Sequence, residues 1–307
     1  MRPTWVKPVL LLIGAGFMGG SSILLAKIGA QEGIPPLSYL FWQCLGAGLV
    51  LGMLAALRGG LPPLRWVYIR YYFLAGLVSL AFPMGLGYFM VPIIGASMAG
   101  VFTALPPLMT YLISMGIGIE TAQFKRLMGL MVGFCGVLFL YLPQITAPDS
   151  TLLGYLLVAA LIPVSLAIGN VYRTVAWPKG ASPLTLASGM MLASAVLCLM
   201  FETGRDQLHV PDIDSGAAWL IIAVQMAVGS LMYICHFELQ RVAGPVFLSQ
   251  IGYVMALTSL AGGTLLLGET LRLELIVTLG CVVAGTFLVR PASGPAQSAK
   301  AQGAATR

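Results

Sequence analysis

Apolar residues run in long blocks along this chain, and polar residues are confined to the short gaps between them. Ten blocks of about 18–24 residues fall at approximately 8–28, 37–57, 70–91, 95–117, 126–143, 152–172, 182–201, 217–237, 244–267 and 272–290. About 20 successive apolar residues are what an α-helix needs to cross a hydrocarbon layer ~30 Å thick. The pattern therefore predicts an all-α membrane protein with ten transmembrane helices, no sizeable soluble domain, and the lipid bilayer as its surroundings.

Composition agrees. Of the 307 residues, 59% are hydrophobic and 8% are charged, against about 45–50% and ~25% in soluble domains. Arg2 and Lys7 precede the first block like the start of a signal peptide. That block is long enough to span, and no small-residue cleavage site follows, so it is read as the first helix. The net charge of +6 comes from basic residues beside the blocks, without interleaved aromatics. It points to membrane topology and not to nucleic acid.

The charges also give a direction. With the N-terminus in the cytoplasm and the sides alternating, all basic residues except Lys27, Arg205 and Arg272 fall on the cytoplasmic side, Arg173 in a gap among them. All acids except Glu120 and Glu238 fall on the other side. Lys and Arg collect in cytoplasmic loops of membrane proteins, so the pattern supports ten spans with both termini cytoplasmic. A missed span would reverse every later loop. Trp5, Trp42, Trp66, Trp177 and Trp219 lie near block ends, as interfacial rings do.

The two halves share punctuation. EGIPPLS (Glu32–Ser38) resembles KGASPLT (Lys179–Thr185), each between the first and second block of its half. An offset of 149 residues pairs Gly95 with Gly244, Glu120 with Glu269 and Gly136 with Gly285. Residues 1–150 and 151–290 thus read as two five-helix repeats, followed by a disordered cytoplasmic tail at 291–307. An odd number of spans per repeat makes the second enter from the opposite side, the inverted arrangement of many secondary transporters.

These residues carry a resemblance. GAGFMGGSSILLAKIGAQEGIPPLSYLFWQ, YFMVPIIGASMAGVFTALPPLMTYL with GIE closing the fourth block, and LLLGETL before a glycine-containing last block resemble the drug/metabolite transporter superfamily, in its EamA-type ten-helix branch. The resemblance covers about residues 8–290. It implies a multi-pass transporter of small metabolites or drug-like solutes in the cell inner (plasma) membrane. Export by alternating access is implied in the same way. The family often carries Arg early in the second span, where this chain has Gln43.

Gly14, Gly16 and Gly19 fit a GxGxxG fingerprint, with Glu32 near the expected ribose-binding position. The following long apolar blocks do not fit a Rossmann unit, so close helix packing is the better reading. Pro83, Pro106, Pro107 and Pro163 lie near the middle of the third, fourth and sixth blocks. Proline removes a backbone donor and kinks a helix, and interrupted membrane helices mark central binding sites. Among polar residues inside blocks, Tyr88, Thr103, Asn170, Tyr172, Gln225, Tyr233, Gln250 and Tyr253 are the substrate-cavity candidates. Each alone also fits a role as helix–helix glue, and related transporters line their cavity with much the same helices plus the first.

No acid or base is expected near the bilayer midplane, so the cavity reads as neutral and suited to uncharged, zwitterionic or amphipathic solutes. His236, Glu238 and Arg241 are expected to cluster at the inner end of the eighth block, Glu238 and Arg241 as an ion pair three residues apart. Cys44, Cys135, Cys198, Cys235 and Cys281 lie within blocks without CxxC spacing, which argues against a disulfide framework or a metal site. No cofactor is expected. An enzyme would need a convergent catalytic set, but His209 and His236 fall on opposite sides and HFE is not HExxH. A membrane-embedded enzyme and a passive channel are the alternatives to a carrier.

Overall fold

The computed structural model describes residues 5–58, 60–141, 150–204, 210–211, 215–266 and 273–289. Among them every regular element is helical: α1 (Val6–Gln31), α2 (Pro36–Leu57), α3 (Trp66–Gly76), a π-helical segment (Leu77–Ala81), α4 (Phe82–Ala104), α5 (Pro106–Gly116), α6 (Phe124–Tyr141), α7 (Ser150–Ala159), α8 (Leu161–Val175), α9 (Pro183–Thr203), α10 (Gly216–Ser249), α11 (Ile251–Leu266) and α12 (Leu273–Leu288). Among the described residues, six stretches are long and apolar enough to cross a membrane: Val6–Gln31, Pro36–Leu57, Trp66–Gly87, Leu153–Val175, Pro183–Thr203 and Gly216–Ser249. Leu10, Leu49, Leu57, Leu157, Leu220 and Leu265 are exposed on the outside. A soluble bundle would hide such side chains; a lipid-facing one has no reason to.

The helices pack by close backbone approach. In α1, a Cβ on Gly16 would collide with Val254 Cβ, one on Gly19 would lie 2.7 Å from Met255 Cγ, and one on Gly20 2.8 Å from the Met255 carbonyl oxygen, all of α11. Gly16 and Gly19 of the GxGxxG run thus pack against α11, whereas Gly14 faces Cys235 of α10. Helices α2 and α9 meet where Ser188 Oγ donates to the Gly48 carbonyl at 2.8 Å, and α6 and α12 where Thr278 Oγ1 donates to the Gly136 carbonyl at 2.7 Å. The largest apolar core joins α2, α3, α9 and α10 through Cys44, Leu51, Tyr71, Leu186, Met190 and Phe237.

The paired motifs adopt one local geometry. Gly33 and Gly180 both have positive φ, at 79° and 74°. Each is followed by an extended residue, Pro35 or Ser182, and then by a helix opening on proline, Pro36 or Pro183. Proline suits the first helical position because its absent N–H would have had no partner there.

The breaks fall at other places than the apolar blocks suggest. The helical backbone continues from residue 66 to Ala104, with no gap at 92–94. It stops at Leu105, where Pro106 and Pro107 offer no N–H to the preceding turn and α5 restarts. The expected loop at 238–243 is helical. Its break is the single residue Gly244 (φ 78°, ψ 178°), a backbone conformation essentially reserved for glycine.

Pro83 acts through the π segment. There the Phe82 N–H reaches back five residues to the Leu77 carbonyl. In that register the Val78 carbonyl would accept from residue 83, which is a proline. The acceptor is filled from another helix: Ser165 Oγ of α8 donates to Val78 O at 2.7 Å. Proline breaks in membrane helices persist where a neighbour supplies such a replacement. Pro163 stands in the first turn of α8, just after the turn at Ala160 that separates α7 from α8.

Candidate functional site

Helix α8 carries a polar face in an apolar bundle. Asn170, Arg173 and Thr174 are three and four residues apart, so they share one side. His236 and Gln240 do the same on α10. The two faces meet. Arg173 Nε donates to Gln240 Oε1 at 2.9 Å and Nη2 to Asn170 Oδ1 at 2.7 Å. Nη2 also lies 3.0 Å from His236 Nε2. Gln240 Nε2 donates to the Asn170 carbonyl at 2.9 Å and to Thr174 Oγ1 at 3.0 Å. Asn170 Nδ2 reaches Thr110 Oγ1 of α5 at 3.2 Å, and Tyr71 OH of α3 reaches the Arg173 carbonyl at 3.5 Å. The cluster joins helices from both halves of the chain.

Arg173 is only 2% exposed. Its place in the last turn of α8 helps to hold it, because the carbonyl end of a helix favours a cation. Aromatic rings enclose the cluster. The guanidinium lies 6.0 Å from the centre of Phe237, Tyr71 stacks on Tyr172 at 5.9 Å, and Tyr233 lies 5.5 Å from His236. The arrangement offers fixed N–H donors beside an apolar wall, which can orient a small polar group on an apolar solute.

The sequence candidates divide into two sets. Asn170 is inside this cluster, and Tyr172 and Tyr233 border it. Gln225 instead faces α1, where Nε2 donates to Ser22 Oγ at 2.6 Å, while its buried Oε1 has no partner. Gln250 caps α10 with a buried, unpartnered Nε2. Tyr253 is buried against α6 and donates to the Leu130 carbonyl at 3.2 Å, the bond of a packing residue. The side chains of Tyr88 and Thr103 lie outside the described residues, as does Glu269. Pro83 and Pro163 belong to the two helices that share the Ser165 bond, whereas Pro106 and Pro107 open the helix that carries Thr110.

Two expectations are corrected. Arg173 is not in a gap between helices: α8 extends to Val175 and carries it into the protein interior. The polar interior therefore holds a formal charge. His236 does not join Glu238 and Arg241; it turns to Arg173. The other two do pair, Arg241 binding Glu238 at 2.9 and 2.7 Å, and Lys7 adds a third contact at 2.5 Å. Sequence reasoning missed Arg173, Gln240, Thr110 and Tyr71, and gave His236 the wrong partners. The usable signal was the helical spacing of Asn170 with Arg173 and of His236 with Gln240.

A second buried pair lies just beyond α5. Arg126 binds Glu120 through Nη1, and burial pushes the Glu120 carboxyl above the ordinary glutamate range against the pull of that guanidinium. Among the described residues no group of three or more metal-capable side chains is assembled.

Comparison with known proteins places this geometry. The sequence profile of the EamA-like transporter family matches residues 6–142 and again 152–290. The Escherichia coli (strain K12) protein named "Uncharacterized inner membrane transporter YedA" is 29% identical over 302 residues, covering 92% of each chain. Proteins of the same name from two further Escherichia coli strains match equally. One protein crystal structure shares the fold, with a TM-score of 0.72 over 90% of this chain and 94% of that one at 20% identity.

Proposed function

The chain belongs to the EamA-like transporter family and is a membrane transporter, and from that premise we propose a carrier for small metabolites or drug-like solutes. It has ten crossings in two inverted five-helix repeats, works by alternating access, and exports an uncharged or zwitterionic substrate. Both termini are cytoplasmic, which places the Arg173 cluster toward the cytoplasmic end of the bundle. One observation carries the reading most: a hydrogen-bonded cluster links α5 and α3 of one half to α8 and α10 of the other, beside helix breaks. A carrier needs such a junction, because its substrate sits between parts that move relative to each other. The matching geometry around Gly33 and Gly180 supports the repeat. Inversion then follows from five spans per half.

The test begins with a thermal-shift screen of detergent-purified protein against amino acids, nucleosides, polyamines and cationic drugs, since a ligand that binds only the folded state raises Tm. The strongest hit, radiolabelled, is then followed by counterflow in proteoliposomes. Saturable uptake driven by unlabelled solute inside is expected. Flux that rises linearly without saturation indicates a channel and overturns the carrier reading, as does the absence of flux above empty liposomes.

A further inference from the structure

Among the described residues, the Arg173 cluster has donors in excess and no anion. The partners of this guanidinium are a carboxamide oxygen of Asn170, another of Gln240 and a ring nitrogen of His236, all neutral acceptors. The described acidic side chains are committed elsewhere. Glu120 is held by Arg126, Glu238 by Arg241 and Lys7, and Glu202 accepts from Ser38, while Glu32 is exposed. A buried cation ordinarily has a counter-charge, because desolvating an unpaired ion is expensive.

His236 adds to the imbalance. A guanidinium only donates, so the His236 Nε2 facing it accepts. The imidazole is then neutral, with its hydrogen on Nδ1. That Nδ1 is buried and has no partner. Arg173 Nη1 also makes no hydrogen bond among the described residues. A fixed guanidinium edge is thus left unfilled beside Phe237, and the imidazole N–H, on the far side of the ring, is a second unfilled donor that points away from it.

We propose that the free Nη1 edge of Arg173 binds the carboxylate of the transported solute, with Asn170, Gln240 and His236 holding the guanidinium in place and the aromatic wall taking the apolar body. A planar guanidinium matches a carboxylate better than other cations do. The inference rests on the carrier reading and narrows it: of the uncharged and zwitterionic solutes proposed above, those with a carboxylate fit. The solute arrives as the missing counter-ion, and its loading neutralises the junction between the halves.

The experiment uses full-length protein in detergent and three matched probe pairs at equal ionic strength: acetate against acetamide, benzoate against benzamide, and L-phenylalanine against L-phenylalaninamide. At least one carboxylate is expected to raise Tm by about 2–4 °C over its amide. The difference should vanish in R173Q and shrink in H236F. R173K, which keeps the charge and loses the fork, should retain part of it. A wild type that shows no preference for any carboxylate overturns the proposal without any variant, and so does an R173Q protein with the full preference. Failed counterflow beside intact carboxylate binding removes the carrier reading alone; saturable counterflow of an amide without carboxylate preference removes this inference alone.

Discussion

Among the described residues, two arginines are buried near helix ends, and their surroundings differ in one respect. Arg126 is 8% exposed, opens α6, and binds the Glu120 carboxylate. Arg173 is 2% exposed, closes α8, and binds only neutral groups. The first is a completed pair whose charge is balanced within the chain. The second is held in place, oriented by two carboxamides, and given no counter-charge by the described residues. Burial alone therefore says little about role. The nature of the partner distinguishes an arginine that fastens the loop between α5 and α6 from one arranged to receive something.

The largest expected effect separates the two directly. Removing one partner of a buried ion pair costs about 3–5 kcal/mol, because the other charge stays buried and alone. E120A should therefore lower the Tm of the purified protein sharply. R173Q removes a charge that has no partner, keeps a hydrogen-bonding amide in the cluster, and should shift Tm by only a few degrees while abolishing saturable counterflow. Equal losses of Tm in the two variants would break the distinction and make Arg173 another structural fastener.

The difference between these arginines was only half visible in the sequence. Apolar blocks showed that the chain is helical and outlined α1, α2, α6 and α9 to within a few residues, because about 20 successive apolar residues have few other uses. Block ends are poorly marked, since helices run past the apolar stretch, and ending the sixth block at residue 172 left Arg173 looking like a loop cation. Gly244 escaped for a related reason: a one-residue break leaves no polar gap. Asn170 was found as an isolated polar residue, but its value lies in facing Arg173, Thr110 and Gln240 from three helices. Tyr253 looked equally promising, yet it points to the Leu130 carbonyl. Residue type showed which side chains are costly to bury; only the packing showed which of them meet.

A second, smaller effect tests whether Arg173 is positioned by its neutral neighbours. Gln240 accepts from Arg173 Nε and donates to the Asn170 carbonyl and to Thr174. Hydrogen bonds to charged groups are worth about 1.5–3 kcal/mol, so Q240L should destabilise by that order in a chemical or thermal melt. With the guanidinium no longer fixed, the apparent affinity for the best carboxylate probe should fall further than the maximal counterflow rate. A fall confined to the rate would mean that Gln240 acts on the moving step and not on the orientation of Arg173.

The smallest effect is a pH dependence that belongs to Arg126 and not to Arg173. Burial raises the Glu120 carboxyl above its ordinary value of 4.5, with Arg126 opposing the rise. The folded protein thus holds the Glu120 proton more tightly than the unfolded chain does. That preference adds stability in full below pH 4.5 and is lost as pH climbs through the raised folded value. Wild type should therefore lose Tm relative to E120Q between pH 4.5 and pH 7.5, because glutamine cannot titrate. Q240L alters the Arg173 cluster, where the described residues supply no carboxylate, so its melting curve should run parallel to wild type over the same range. A Q240L curve that converges on wild type with pH would reveal an acid near Arg173 and remove the asymmetry between the two arginines. Parallel curves for Q240L beside a sloping difference for E120Q would keep it.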